Sequence, residues 1–159
     1  MKQMQTGRTL IEMIVVLIII GVLTIGALAG LTQAMTKFKT TKMQNDMETI
    51  SSDVVTLYAW KRGYPSSFEM SLLCQNDIFP DGCDTSNIAY NPFGGEYTLT
   101  ANQSSQTMTI ETGSLPTGAC LDLQLREWAY ISDDIPSGCT SNPCCTGSDG
   151  NKTFTIILN

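Results

Sequence analysis

The sequence predicts an α+β chain: one long N-terminal α-helix, membrane-spanning in its first half and amphipathic in its second, packed on a small antiparallel β-sheet head closed by disulfides. Three observations predict it. A 19-residue apolar block runs from Met13 to Leu31, an apolar stripe at helical spacing follows it, and six cysteines lie among short alternating segments in the last 99 residues.

The apolar residues make up 42% of the 159, and 15 of them fall within the block; among the other 140 residues the share drops to 37%. A water-soluble enzyme does not concentrate its hydrophobicity in this way. At ~1.5 Å per residue a helix of this length reaches about 28 Å, the thickness of a bilayer core. Thr24 is its one conventional polar residue, and Gly21, Gly26 and Gly30 leave small surfaces on which neighbouring helices can pack.

Past Leu31 the chain turns polar without a helix breaker. Met43, Met47, Ile50, Val54 and Leu57 recur at steps of four, three, four and three, one helical stripe. Lys37, Lys39, Lys42, Gln44, Asn45, Asp46, Glu48 and Asp53 read as lying largely off it. Lys61-Arg62-Gly63-Tyr64-Pro65 is a helix exit, with basic residues in the last turn, glycine for the C-cap and proline beyond. One helix from Arg8 to about Trp60 would be roughly 80 Å long.

In the head, Ser66 and Glu69 have the spacing of a capping box and open a short helix through Leu73. Asn91-Pro92-Phe93-Gly94-Gly95 is a turn that introduces a β-hairpin of Tyr97–Thr100 and Met108–Ile110 around Asn102 to Gln106. Pro116 starts a second helix near Thr117 to Trp128, with Leu121 and Leu125 at helical spacing. Phe154, Ile156 and Leu158 alternate as a terminal strand, and the span Ser132 to Asn151 reads as an exposed cysteine-rich loop suited to binding.

Charge and composition exclude several functions. Residues 61–159 carry four basic and eleven acidic groups, which argues against nucleic acid as a partner. Lys37, Lys39 and Lys42 form the sole basic cluster, read as a solvated face or an anionic lipid contact. The chain has no histidine and no C-x-x-C pair, so neither a zinc site nor a histidine-activated nucleophile is expected, and no cofactor is implied. Asp133-Asp134 and Asp149-Gly150 read as turns, because no complete calcium-loop spacing surrounds them.

Three readings compete for the N-terminal segment. One is a secretory signal cut at Ala27-Leu28-Ala29, and a second is an uncleaved anchor. Neither accounts for Glu12, a carboxylate at the edge of the apolar run, where it opposes insertion. The third rests on Gly7-Arg8-Thr9-Leu10-Ile11-Glu12 followed directly by the block, which resembles the processing site of type IV prepilins and pseudopilins. The resemblance implies a leader of residues 1–7, cleavage between Gly7 and Arg8 by a membrane-embedded prepilin peptidase, and methylation of the new N-terminus. It places Glu12 at the fifth mature position, where the family keeps a glutamate that sets subunit register. Arg8 departs from the family, which usually begins with an apolar residue; it lies four residues before Glu12 and offers that carboxylate a second partner.

The resemblance extends along the chain. Asn91-Pro92-Phe93-Gly94-Gly95, and Leu115-Pro116-Thr117-Gly118-Ala119-Cys120 followed by Trp128, look like features of type IVb pilins. It implies residues 8–31 as a transmembrane and filament-core helix, 32–60 as the amphipathic half of that helix, and 61–159 as a globular head. The partners implied are further copies of the chain in a helical homopolymer, other pilins, the prepilin peptidase, the membrane, and an inner-membrane assembly platform with its ATPase. The implied location is the bacterial inner membrane, then a surface filament; the alternative is a minor pilin or type II secretion pseudopilin whose head binds a ligand or cargo.

The cysteines Cys74, Cys83, Cys120, Cys139, Cys144 and Cys145 allow fifteen complete pairings, which spacing alone does not settle. Cys74 and Cys83 enclose a short loop and are paired locally, whereas a Cys144–Cys145 bridge between adjacent residues would be strained. In the resembled family a disulfide ties the helix after the hairpin to the C-terminal region. Cys120 matches its first half, so one of Cys144 and Cys145 is expected to join Cys120 and the other Cys139, with the choice left open.

Overall fold

A computed structural model of the chain describes residues 10–59 and 63–159. The chain divides into two units, Met1–Lys37 and Phe38–Asn159, and the helix α1 (Leu10–Ala59) contributes to both. No proline interrupts the sequence from Leu10 to Ala59, so one helix can cover it despite Gly21, Gly26 and Gly30. In the first unit every large apolar side chain from Leu10 to Leu31 is at least 46% exposed. The Thr24 hydroxyl donates to the Ile20 carbonyl at 2.8 Å, so the helix itself satisfies the block's one hydroxyl.

The second unit is α+β. After α1 come α2 (Met70–Gln75), β1 (Tyr97–Asn102), β2 (Thr107–Leu115), α3 (Thr117–Gln124), β3 (Cys144–Ser148) and β4 (Asn151–Leu158). The strands form one antiparallel sheet in the order β1-β2-β4-β3. Because side chains alternate along a strand, the register stacks the inner face in rows: Tyr97, Thr112 and Phe154; Leu99, Ile110 and Ile156; Ala101, Met108 and Leu158. Met43, Met47, Ile50 and Val54 of α1, each at most 1% exposed, join the same buried cluster as these rows. Burying each such side chain contributes about 1.5–3 kcal/mol before entropy is counted.

The structure corrects several sequence expectations. The capping box is absent: α2 starts at Met70, Glu69 is its N-cap, and no side chain caps it. Phe68 instead packs on Tyr58 and Tyr64, with ring centroids 5.3 and 5.8 Å away, which holds the chain extended before the helix. The second helix stops at Gln124 rather than Trp128, since the Trp128 indole N–H donates to the Leu123 carbonyl at 3.0 Å and folds the chain back. Leu121 and Leu125 are consequently exposed, while Ala119, Cys120 and Leu123 face the core. The span from Ser132 to Asn151 is not all loop, because β3 occupies Cys144–Ser148 and pairs with β4 across Asp149-Gly150. Asp46, read as off the stripe, is buried at 7% exposure. The expected exit residues Lys61 and Arg62, and Trp60, lie outside the described residues.

Three disulfides staple this unit: Cys74–Cys83, Cys120–Cys145 and Cys139–Cys144. The second ties α3 to β3, the third closes the chain leading into β3, and adjacent Cys144 and Cys145 point to different partners because neighbouring strand residues face opposite sides. Non-reducing peptide mapping is expected to return these three pairs. Recovery of Cys120 bonded to Cys139 or Cys144 would contradict the arrangement.

Candidate functional site

The apolar part of α1 is the first candidate. Its surface consists of exposed Leu, Ile, Val and Met side chains and one carboxylate, Glu12, in the first turn of the described helix. Gly21, Gly26 and Gly30 have open space where a Cβ would stand. Gly26 and Gly30 are four residues apart and share a helix face, a small-xxx-small spacing that admits close approach of a second helix backbone. The spacing is a local pattern already present in the sequence. The segment is long and apolar enough to cross a membrane, with a mean hydropathy of 2.9 in its best window. Chemically it offers non-covalent association and a single charge. Gly7 and Arg8, the expected processing site, lie outside the described residues, and so does any pairing of Arg8 with Glu12.

The second candidate is the charged clasp where α1 meets the head within the second unit. The Lys42 ammonium donates to both oxygens of Asp81, at 2.6 and 2.7 Å, and the Lys39 ammonium lies 5.6 Å from the Phe93 ring centroid. Two members of the basic trio thus hold the head, a role their sequence clustering did not reveal. Asp46 is one turn beyond Lys42. Burial raises its pKa above 3.8, the nearby Asp81 carboxylate raises it further, and Lys42 only partly opposes them. Tyr97 is 4% exposed and its hydroxyl has no hydrogen-bond partner among the described residues. Its phenol is pushed up first by burial and then by the Asp46 and Asp81 carboxylates.

The Asn91 turn fixes the other side of the clasp. Its side-chain amide donates to Thr112 Oγ1 at 2.7 Å and to the Gly113 carbonyl at 2.9 Å, and its Oδ1 accepts from the backbone N–H groups of Phe93 and Gly95. A Cβ on Gly95 would collide with the Gly113 carbonyl, so only glycine fits there. Asn142 performs a similar task at the far edge: its amide donates to the Ser132 and Ile157 carbonyls and its Oδ1 accepts from Ile157 N–H, so a side chain continues the ladder of β4. Asn91-Pro was legible as a turn. Asn142-Pro143 carries the same local signal.

All the cysteines are disulfide-bonded. Among the described residues no group of three or more histidine, cysteine, aspartate or glutamate side chains could hold a metal ion.

Two family models match the chain. Residues 2–28 match the prokaryotic N-terminal methylation motif, and residues 37–133, about three-fifths of the chain, match the model described as PilS N terminal. No curated protein and no solved structure matches it.

Asp46 yields a pH dependence of defined sign. Its folded pKa is raised, so the folded chain holds this proton more readily than the unfolded chain. The resulting stabilisation is complete below the ordinary carboxylate value and is lost as pH rises through the folded value. Asp46→Asn is expected to raise the midpoint of thermal unfolding at neutral pH and to flatten its dependence on mild acidification. A lower midpoint at pH 7 in this variant would show that its pairing with Lys42 outweighs desolvation.

Proposed function

The chain belongs to the type IV pilin family, on the PilS N-terminal match and the methylation-motif N-terminus, and we propose that it is a structural filament subunit made as a membrane-inserted prepilin. In this reading the prepilin peptidase cuts after Gly7, Arg8 becomes the first mature residue, and the apolar helix then moves from lipid into a bundle of like helices. One observation carries the reading: from Leu10 to Leu31 the large apolar side chains are exposed, with a carboxylate at their edge. Lipid and a helical bundle both keep that surface from water, so no soluble monomer is needed at any stage.

Glu12 supplies the specificity that apolar packing lacks. A carboxylate drawn among apolar helices is costly unless paired, and the N-terminus of a neighbouring subunit can pair with it and fix axial register. Arg8 adds a guanidinium one turn earlier. Further copies, other pilins, and an inner-membrane platform with its ATPase are the partners of this assembly, and the head ends on the cell surface. The chain has no catalytic role in it.

N-terminal sequencing of protein from peptidase-bearing cells should begin at Arg8, and cells lacking the peptidase should retain the full-length form in the membrane. A start at Gly30 or Met1 would sink the proposal.

A second measurement addresses register. Glu12→Gln is expected to reduce sheared filament at least tenfold while leaving membrane insertion intact. Arg8→Met should reduce it less, and the double variant should match Glu12→Gln alone. Independent, additive losses would show that Arg8 does not act through Glu12.

A further inference from the structure

Two asparagines open the acceptor pattern for N-linked glycans, Asn-x-Ser/Thr with x not proline: Asn102-Gln103-Ser104 and Asn151-Lys152-Thr153. They are not equivalent in this fold. We propose that Asn151 is a glycan acceptor, taking a sugar chain from a polyprenyl diphosphate carrier, and that Asp149 guides the transferase to it. The inference rests on the head lying outside the cytoplasm, as in the filament reading, and not on polymerisation.

The structure separates the two candidates. Asn102 closes the β1–β2 hairpin, and its Oδ1 accepts from the backbone N–H groups of Ser104 and Ser105 at 3.0 and 3.3 Å. That carboxamide is committed to its turn. Asn151 stands at the tip of the β3–β4 hairpin, at the end of an exposed run that starts at Thr146. Among the described residues its carboxamide forms no hydrogen bond. Exposed tips built of small polar residues are where a chain best tolerates an addition. Alternation along β4 puts Asn151 and Thr153 together on the outer face, about 7 Å apart, opposite to Phe154 and Ile156. Their partners across β3 are small, Ser148 and Thr146. On the β2 side a Cβ at Gly113 would stand 3.8 Å from Thr153 Oγ1, so glycine leaves that hydroxyl uncovered there.

The chemistry needs those groups in those places. An amide nitrogen is a weak nucleophile, because its lone pair is delocalised into the carbonyl. A transferase must therefore twist and hold the carboxamide, and it does so by gripping the hydroxyl two residues on. Transfer forms a bond between Asn151 Nδ2 and the anomeric carbon of the sugar and breaks that carbon's bond to the diphosphate oxygen. The electron pair leaves with the polyprenyl diphosphate, and the amide proton passes to a carboxylate of the transferase. Asp149 adds a charge two residues before the acceptor. Its side chain is 92% exposed, and its two contacts, the Thr117 hydroxyl at 3.1 Å and the Lys152 ammonium at 3.9 Å, both reach Oδ1. Oδ2 is left for a cation of the transferase. Asn102 has the uncharged Thr100 in that place. A glycan is bulky and hydrophilic, so this end of the sheet must face water in any assembly.

The test uses the full-length chain, produced in bacterial cells that carry an oligosaccharyltransferase and its polyprenyl-diphosphate-linked oligosaccharide, with glycopeptides mapped by mass spectrometry. Occupancy is expected at Asn151, at least tenfold above that at Asn102. Asn151→Gln and Thr153→Val should abolish it, and Asp149→Asn should lower it at least tenfold. Asp149 is exposed, so that variant keeps the fold, which recovery of the three disulfide pairs checks. Equal occupancy of the two asparagines, transfer that survives Thr153→Val, or less than a threefold loss in Asp149→Asn would each overturn the inference. So would an unmodified chain. With oxidised cysteines it would refute Asn151 as an acceptor; with reduced cysteines it would place the head in the cytoplasm and remove the location on which the inference rests.

Discussion

The packing of α1 against the sheet is the interaction on which the rest depends. Met43, Met47, Ile50 and Val54 are almost wholly removed from solvent, and they share one core with Leu99, Ile110, Phe154 and Ile156. A four-stranded sheet with one face uncovered could not stand alone in water, and a helix of this composition would be marginal without a partner. Each supplies what the other lacks. The same helix carries a second apolar stretch, Leu10 to Leu31, for which the described chain provides no cover. One element is thus a core helix along part of its length and an unfinished interface along the rest. Function follows from that division, since the unfinished part must be completed by lipid or by other helices.

A head of this size has a small core, and its loops are held by other means. Disulfides reduce the freedom of the unfolded chain, and Cys120–Cys145 closes a loop of 25 residues in sequence separation, worth about 3 kcal/mol in the chain-entropy account. Two asparagines act differently. Asn91 and Asn142 use both ends of their carboxamides to satisfy backbone groups that no strand reaches. A buried backbone group left unpaired costs as much as a lost hydrogen bond, so these side chains stand in for missing strands. The clasp made by Lys42 with Asp81 is half exposed and adds less energy than direction.

Legibility from sequence followed the range of the interaction. The long helix, its stripe from Met43 to Leu57, the hairpin and the terminal strand were readable because periodicity is a local property of the chain. Helix ends were not. Ser66 and Glu69 have capping-box spacing, but the Tyr58, Tyr64 and Phe68 rings pack together and decide the backbone there. Trp128 ends α3 through a hydrogen bond that no spacing rule encodes. Asp46 sits three residues after Met43, a spacing that places it beside the stripe; polarity masked it. Strand β3 was hidden because its Cys-Cys-Thr-Gly-Ser sequence has weak β-propensity, although Asp149-Gly150 marks the hairpin that creates it. At the N-terminus the Gly-Arg-Thr-Leu-Ile-Glu sequence carried the reading, and Gly7 and Arg8 lie outside the described residues.

The carboxylates of α1 show why charge placement matters more than charge count. Asp46 is buried within the folded head, so its desolvation is borne as the head folds, with Lys42 in partial compensation. Glu12 stands exposed in the first turn of the same helix, outside the folded head. Its penalty arises only when the helix enters a medium of low dielectric, and it is relieved only by a cation placed at the same depth. Apolar side chains from Met13 to Leu31 pack tolerably in many registers, because dispersion and lipid exclusion vary little as one helix slides along another. A single carboxylate does not tolerate the slide. In the proposed filament it would make one register much better than its neighbours, so that an apolar surface able to aggregate without order would instead specify a repeat.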